Sequence, residues 1–247
     1  MRAELRSELL KQRSTWTNLG LFAGMVGLVV FALVLHGFGL AVEHLDSRSD
    51  QLMTFGRGEY LGALFAALLG ALSITSEIRH GTIRPTFLVS PQRGRVVAAK
   101  VAASTLIGAG FGLAASGVAA GVGVAALGAR GIDVRLDGSD LALLIIGGAG
   151  AAALWAAIGV GVGAVVRSQV PTVVGIAAWL LFVEGLLAGD ALDLDVARFA
   201  PGAAAEAISG QDPGTLLAPW TGAFVLLLYT GAAAAAGWAA TTRRDVT

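Results

Sequence analysis

The most informative stretch of this sequence runs from Glu77 to Lys100. It reads Glu77-Ile-Arg-His-Gly-Thr-Ile-Arg-Pro-Thr-Phe-Leu-Val-Ser-Pro-Gln-Arg-Gly-Arg, then Val-Val-Ala-Ala-Lys, and it holds five of the seventeen basic residues. Within it, Ile83, Phe87 and Leu88 recur at helical spacing. Pro85 fits only the first turn of such a helix. Ser90-Pro91 then supplies an N-cap and an N1 proline for the next helix. This is the chemistry of attachment: a short helix with an apolar face, set among arginines. Two roles suit it. One is a docking element for another protein; the other is a basic loop that sets topology and binds anionic lipid headgroups.

Bond-breaking chemistry finds little support. A nucleotide-binding P-loop needs G-x-x-x-x-G-K-[ST], whose amides and lysine hold the phosphates. The chain has only two lysines, Lys11 and Lys100, and neither ends such a motif. His36, His44 and His80 are scattered, with no H-E-x-x-H to hold zinc, and there is no cysteine. No catalytic, metal-binding or cofactor-binding residue is therefore expected, and no nucleic-acid partner.

The elements that must position Glu77–Lys100 are membrane spans. Hydrophobic residues make up 55% of the 247 and charged ones 14%, against roughly 25% charged in soluble domains. Crossing a hydrocarbon core of about 30 Å takes roughly 20 apolar residues. Six stretches qualify: 17–42, 60–76, 96–127, 141–166, 170–188 and 219–240. The first is too long for a signal-peptide core of roughly 7–15 residues and lacks an A-x-A site, so it reads as a retained span. The third exceeds one straight crossing; it must tilt, break at its glycines or project beyond the bilayer. Arg167, Ser168 and Gln169 alone join the fourth and fifth, with Pro171 in the next first turn.

Charge sets the orientation. With both termini cytoplasmic, the segments 1–16, 77–100, 167–169 and 241–247 carry twelve basic and four acidic residues. The opposite side carries five basic and thirteen acidic, and the positive-inside rule decides for this arrangement. No charge lies near the middle of a span; Glu59 and Glu184 sit near span ends. Glu184 reads as a pathway or a headgroup-level acid, and His36 as an outer-interface residue. Ser73, Thr75, Ser104, Thr105 and Ser116 are expected to bond their own backbone. Glycine pairs spaced by four (20/24, 58/62, 108/112, 117/121 and 159/163) read as sites of close helix approach.

Two segments are neither spans nor plain loops. Residues 2–16 form an amphipathic pattern, with Leu5, Leu9 and Trp16 within about 40° of one another. That suits a helix lying in the inner interface or a solvated basic tail. Residues 192–218 break and restart a helix around Phe199-Ala-Pro-Gly, with Gly210 as a stop. Ala203–Ser209 is too short to cross, so it is an outer-face or re-entrant helix, or an ordinary loop.

The run E-x-R-H-G-T-I-R-x-T-x-L-x-x-P-x-R-G-R followed by A-A-K resembles the cytoplasmic loop of ABC-2 type transporter permeases. The layout is similar as well. The resemblance implies an all-α integral membrane fold, a single permease domain over 1–247. It would have six transmembrane helices, an N-terminal interfacial helix (2–16), a cytoplasmic coupling helix in the 77–95 loop and short outer-face helices between spans five and six. It also implies an ATP-binding subunit as partner, a homodimer or paired permease, and contact with membrane lipids. ATP and Mg would be bound by that partner, through which this chain exports a small-molecule or lipid-like cargo. Spans one, two and five would line the path. Carried onto this sequence, the coupling contacts are Glu77, Arg79, His80, Gly81, Thr82, Ile83, Arg84, Thr86, Phe87 and Leu88. Two other classes share the hydropathy: an energy-independent secondary transporter or channel, and an assembly subunit of a membrane complex.

Overall fold

Backbone N–H and C=O groups in lipid must be satisfied within the chain, which leaves long apolar runs one economical solution, the helix. The computed structural model describes residues 2–39, 41–42, 45–82, 93–188, 196–211 and 216–243. Every regular element among them is helical. In order they are α1 (Arg2–Ser14), α2 (Trp16–Gly39), α3 (Arg48–Phe55), α4 (Arg57–Arg79), α5 (Arg93–Ala129), α6 (Gly138–Val166) and α7 (Gln169–Ala178). A π-helical segment (Trp179–Val183), α8 (Glu184–Ala188), a 3₁₀ turn (Ala197–Phe199), α9 (Pro201–Ile208) and α10 (Pro219–Arg243) complete the series. Among the described residues, six stretches are long and apolar enough to cross a membrane: α2, α3 with α4, α5, α6, Gln169–Leu187 and α10. The chain is thus an all-α protein of the multi-pass membrane type.

The spans are not equivalent. Of their most apolar windows, 67% is buried in Arg48–Arg79, 50% in α5 and 56% in α6, against 17% in α2, 17% in Gln169–Leu187 and 11% in α10. The first three therefore form the centre and the others the rim. Close approach at the centre requires glycine. A Cβ on Gly70 would strike the carbonyl of Ala156, and one on Gly159 the carbonyl of Ala67, so α4 and α6 touch backbone to backbone. The 58/62, 108/112 and 159/163 pairs all pack inside the bundle, whereas Gly20, Gly117 and Gly121 have open space where a side chain would start. On one side of α4, Met25, Val29 and Leu33 of α2 meet Leu69 and Phe111. On the other, Trp155, Ile176, Leu180 and Leu226 close around Leu64 and Ala67.

Several details go beyond the hydropathy pattern. The long third span does not break: α5 is one helix of 37 residues, roughly 55 Å at about 1.5 Å per residue. An extra helix, α3, occupies the segment read as an outer loop. Ser47 caps it, accepting from the Asp50 amide. Helix α1 stops at Ser14, so Trp16 opens α2 instead of extending the α1 face. At the 167–169 connection, Arg167 caps α6 in the left-handed region at φ 59°, donating its N–H to Gly163 O.

Candidate functional site

Five of the ten residues expected to contact a partner are described: Glu77, Arg79, His80, Gly81 and Thr82. Ile83, Arg84, Thr86, Phe87 and Leu88, with the Ser90-Pro91 cap, lie outside the described residues, as do His44 and the acidic stretch 189–195. Helix α4 ends where the first group lies. Gly81, at φ +70°, turns the chain out of the helix and donates its N–H to Ile78 O. His80 bonds the Ser76 carbonyl through Nδ1 at 2.8 Å, and Thr82 Oγ1 reaches back to Glu77 O at 3.4 Å. Arg79 does not face the others; its Nη1 donates to Gln169 Oε1 at 3.2 Å, linking α4 to the start of α7.

Glu77 belongs to a feature the sequence reading missed. Both lysines of the chain converge on it and on Glu8 of α1. Lys100 Nζ lies 2.8 Å from Glu8 Oε2 and 2.8 Å from Glu77 Oε1. Lys11 Nζ lies 2.8 Å from Glu8 Oε1 and 3.0 Å from Glu77 Oε1. The four groups form a closed ring of alternating charge, summing to zero. Lys100 is 1% exposed and also donates to the Ser73 carbonyl at 3.1 Å. Beside the ring, Gln12 Nε2 donates to Ser104 Oγ at 2.9 Å, and Ser104 Oγ to Ser73 Oγ at 3.4 Å. Burial alone would lower the Lys11 pKa; its hydrogen bonds to Glu8 and Glu77 outweigh that and raise it above the ordinary lysine value.

The ring joins three helices. Glu77 is near the end of α4 and Lys100 is in the second turn of α5, so the two residues flank the 80–92 connection. Glu8 and Lys11 clamp α1 to both flanks together. The docking face of α1 is consequently polar, with Glu8 and Gln12 its buried residues.

A second buried polar cluster lies at the opposite ends of the spans, around α9. Glu59 of α4 is 1% exposed and accepts from Gln211 Nε2 at 2.9 Å. Gln211 also donates to Ser209 Oγ at 2.8 Å, and its side chain lies where a Cβ on Gly56 would be. Glu184, just after the π-helical segment, accepts from the Gly202 amide at 2.8 Å and from Trp179 Nε1 at 2.6 Å. It thereby caps α9, whose own N-cap residue, Ala200, has no side-chain oxygen to offer. Both carboxylates are engaged by donors of the protein itself. Ser73, Thr75 and Thr105 bond their own helices as expected, whereas Ser104 joins the network beside the ring and Ser116 Oγ has no partner among the described residues. Among the described residues, no group of three or more histidines and acids is placed to hold a metal ion.

Compared with known proteins, the chain matches no family model and no curated sequence.

Proposed function

We propose that this chain is the membrane-spanning subunit of an ABC-2 type ATP-binding cassette exporter, driven by a separate ATPase subunit that docks on the 77–95 loop. The observation that supports this best is the buried ring that joins both flanks of that loop to α1. A loop that receives force must pass it to the spans without yielding, and a closed ring of four charges resists shear among the three helices it joins. Closure of two ATPase subunits on ATP would push residues 83–88; α4, α5 and α1 would then move together. The motif in Glu77–Lys100 supplies the identity of the partner by resemblance.

In this reading the chain sits in the cytoplasmic membrane with both termini inside, since twelve of its seventeen basic residues then face the cytoplasm. Helix α1 lies in the inner interface and α9 at the outer face. The protein works as a dimer or with a paired permease, its partner binds ATP and Mg, and its cargo is amphipathic or hydrophobic: a drug, an antibiotic or a lipid-like molecule.

The test is co-purification with a P-loop ATPase encoded beside this chain's reading frame. Replacing residues 83–88 by glycine and serine should abolish recovery of the complex while leaving the chain folded in detergent. An intact complex after that replacement removes the coupling role. Because the chain has no cysteine, a single T82C also reports sidedness. Labelling of T82C in intact cells by an impermeant reagent would place the loop outside and end the proposal.

One observation favours a second reading, an ion-coupled transporter: the deeply buried Glu59, which has no cation partner among the described residues. Transport that persists in vesicles lacking the ATPase, and that E59Q abolishes, would support it over the first.

A further inference from the structure

We infer that the outward face of α1 is a binding surface for anionic phospholipid headgroups. Helix α1 carries four basic and two acidic side chains, and the fold sorts them. At about 100° per residue, Arg2, Arg6 and Arg13 lie within about 40° of one another, and all three are exposed. Glu4, Glu8, Lys11 and Gln12 lie on a different arc, of which Glu8 and Gln12 are buried and Lys11 is spent in the ring. None of the three arginines meets an acid within ion-pair distance among the described residues. The row therefore carries its full positive charge outward, undiluted by carboxylates.

Three further observations identify a lipid as the occupant. Thr15 alone separates α1 from α2, so the row is held beside the end of the first span, where headgroups lie. Large apolar side chains are exposed at the same end: Leu10 of α1 is 59% exposed and Trp16, the first residue of α2, 84%. An exposed tryptophan and leucine beside arginines match the boundary between acyl chains and phosphates. Finally, the buried ring fixes the rotation of α1, so the guanidinium groups form a set surface, and guanidinium is the side chain best shaped to grip phosphate oxygens in pairs. This inference does not depend on the coupling role of the 77–95 loop.

The experiment uses the full chain with S14C as its single cysteine, carrying a fluorophore, reconstituted in phosphatidylcholine vesicles. Equal minor fractions of brominated phosphatidylglycerol or brominated phosphatidylcholine serve as quenchers. Each arginine that meets an anionic headgroup should enrich it roughly fivefold. Phosphatidylglycerol should thus quench several-fold more strongly, and the preference should shrink as salt is raised. R2Q/R6Q/R13Q should be quenched equally by both lipids, and R2K/R6K/R13K should keep most of the preference. Equal quenching of the unaltered protein overturns the inference, as does a preference that survives the glutamine variant. A preference insensitive to salt also overturns it, and that arm needs no variant to fold. So does protection of the label by an acidic protein partner with no choice between lipids.

Discussion

The two buried polar clusters of this bundle are built on opposite principles. At the 77–100 end, two carboxylates meet two ammonium groups in a closed ring. At the α9 end, Glu59 and Glu184 are held by neutral donors: an amide, an indole and a backbone N–H. Helix α1 is thus attached by charge and α9 by dipoles. In the ring, the Coulomb gain of each member depends on its opposite-sign neighbours, so losing one exposes the rest. In the second cluster each carboxylate's hold is local, made by neutral donors and not by an opposite charge. The difference suits the proposed role of the ring as an attachment that transmits force, beside a cap that only has to stay in place.

The largest effect should come from Lys100. K100M leaves Glu8 and Glu77 facing each other in a buried site with only the half-exposed Lys11 between them. Breaking a buried ion network this way costs about 3–5 kcal/mol, read as a lowered unfolding midpoint of the full chain in detergent. The companion K100M/E8Q should be less damaged than the sum of its single changes, because the two groups interact directly. Stability of K100M within about 1 kcal/mol of the parent would mean the ring is not an attachment, and the contrast between the clusters would collapse.

Glu59 gives the sharper test, because the comparison predicts a difference of sign. E59A strands the Gln211 amide in a buried site and should cost about 1–3 kcal/mol. E59Q keeps an acceptor and removes the charge, so it should be neutral or stabilising, whereas E77Q in the ring should destabilise. If E59Q and E77Q lose stability alike, both clusters are held by charge. Glu184 comes next. E184A removes the acceptor at the α9 N-terminus, a loss of about 0.5–2 kcal/mol. The loss should be local: hydrogen exchange at Gly202 and Ala203 should speed up while α4–α6 stay protected. Uniform acceleration across the bundle would show that α9 is not a separately capped element.

Legibility in the sequence followed the range of the interaction. Six apolar stretches are visible because each span must satisfy its own backbone, a constraint confined to about twenty consecutive residues. Helix α3 left a local sign that could have been read: Ser47 followed three residues later by Asp50, the pattern of a capped start. The ring left only an indirect one. Lys100 and Glu8 are 92 residues apart, and no periodicity connects them. The available clue was that a lysine in an early turn of an apolar helix needs an anion. The pairing of Glu59 with Gln211 across 152 positions had still less to show, since glutamine reads as an ordinary loop residue. The π-helical segment that precedes Glu184 has no composition to distinguish Trp179–Val183 from any apolar turn. The contacts that make the candidate site are tertiary, while patterns in a single sequence report mostly what neighbours in the chain must do.

Lys11 should give the smallest effect, and it separates the exposed edge of the ring from its buried core. Its side chain is 44% exposed, so solvent screens its attraction to Glu8 and Glu77, and K11M should cost about 0–1 kcal/mol. Because the fold raises the Lys11 pKa, its contribution is complete below the ordinary lysine value and is lost as pH rises through the raised one. The attachment of α1 should therefore loosen only in strongly alkaline solution, which a fluorophore at S14C can follow. K11M should weaken that alkaline response without abolishing attachment at neutral pH, and K11R should push it to still higher pH, since guanidinium keeps its proton longer. An unchanged response in K11M would assign the transition elsewhere and leave Lys100 as the sole cation that matters. In that case the ring would be a buried three-membered bridge with a surface lysine beside it.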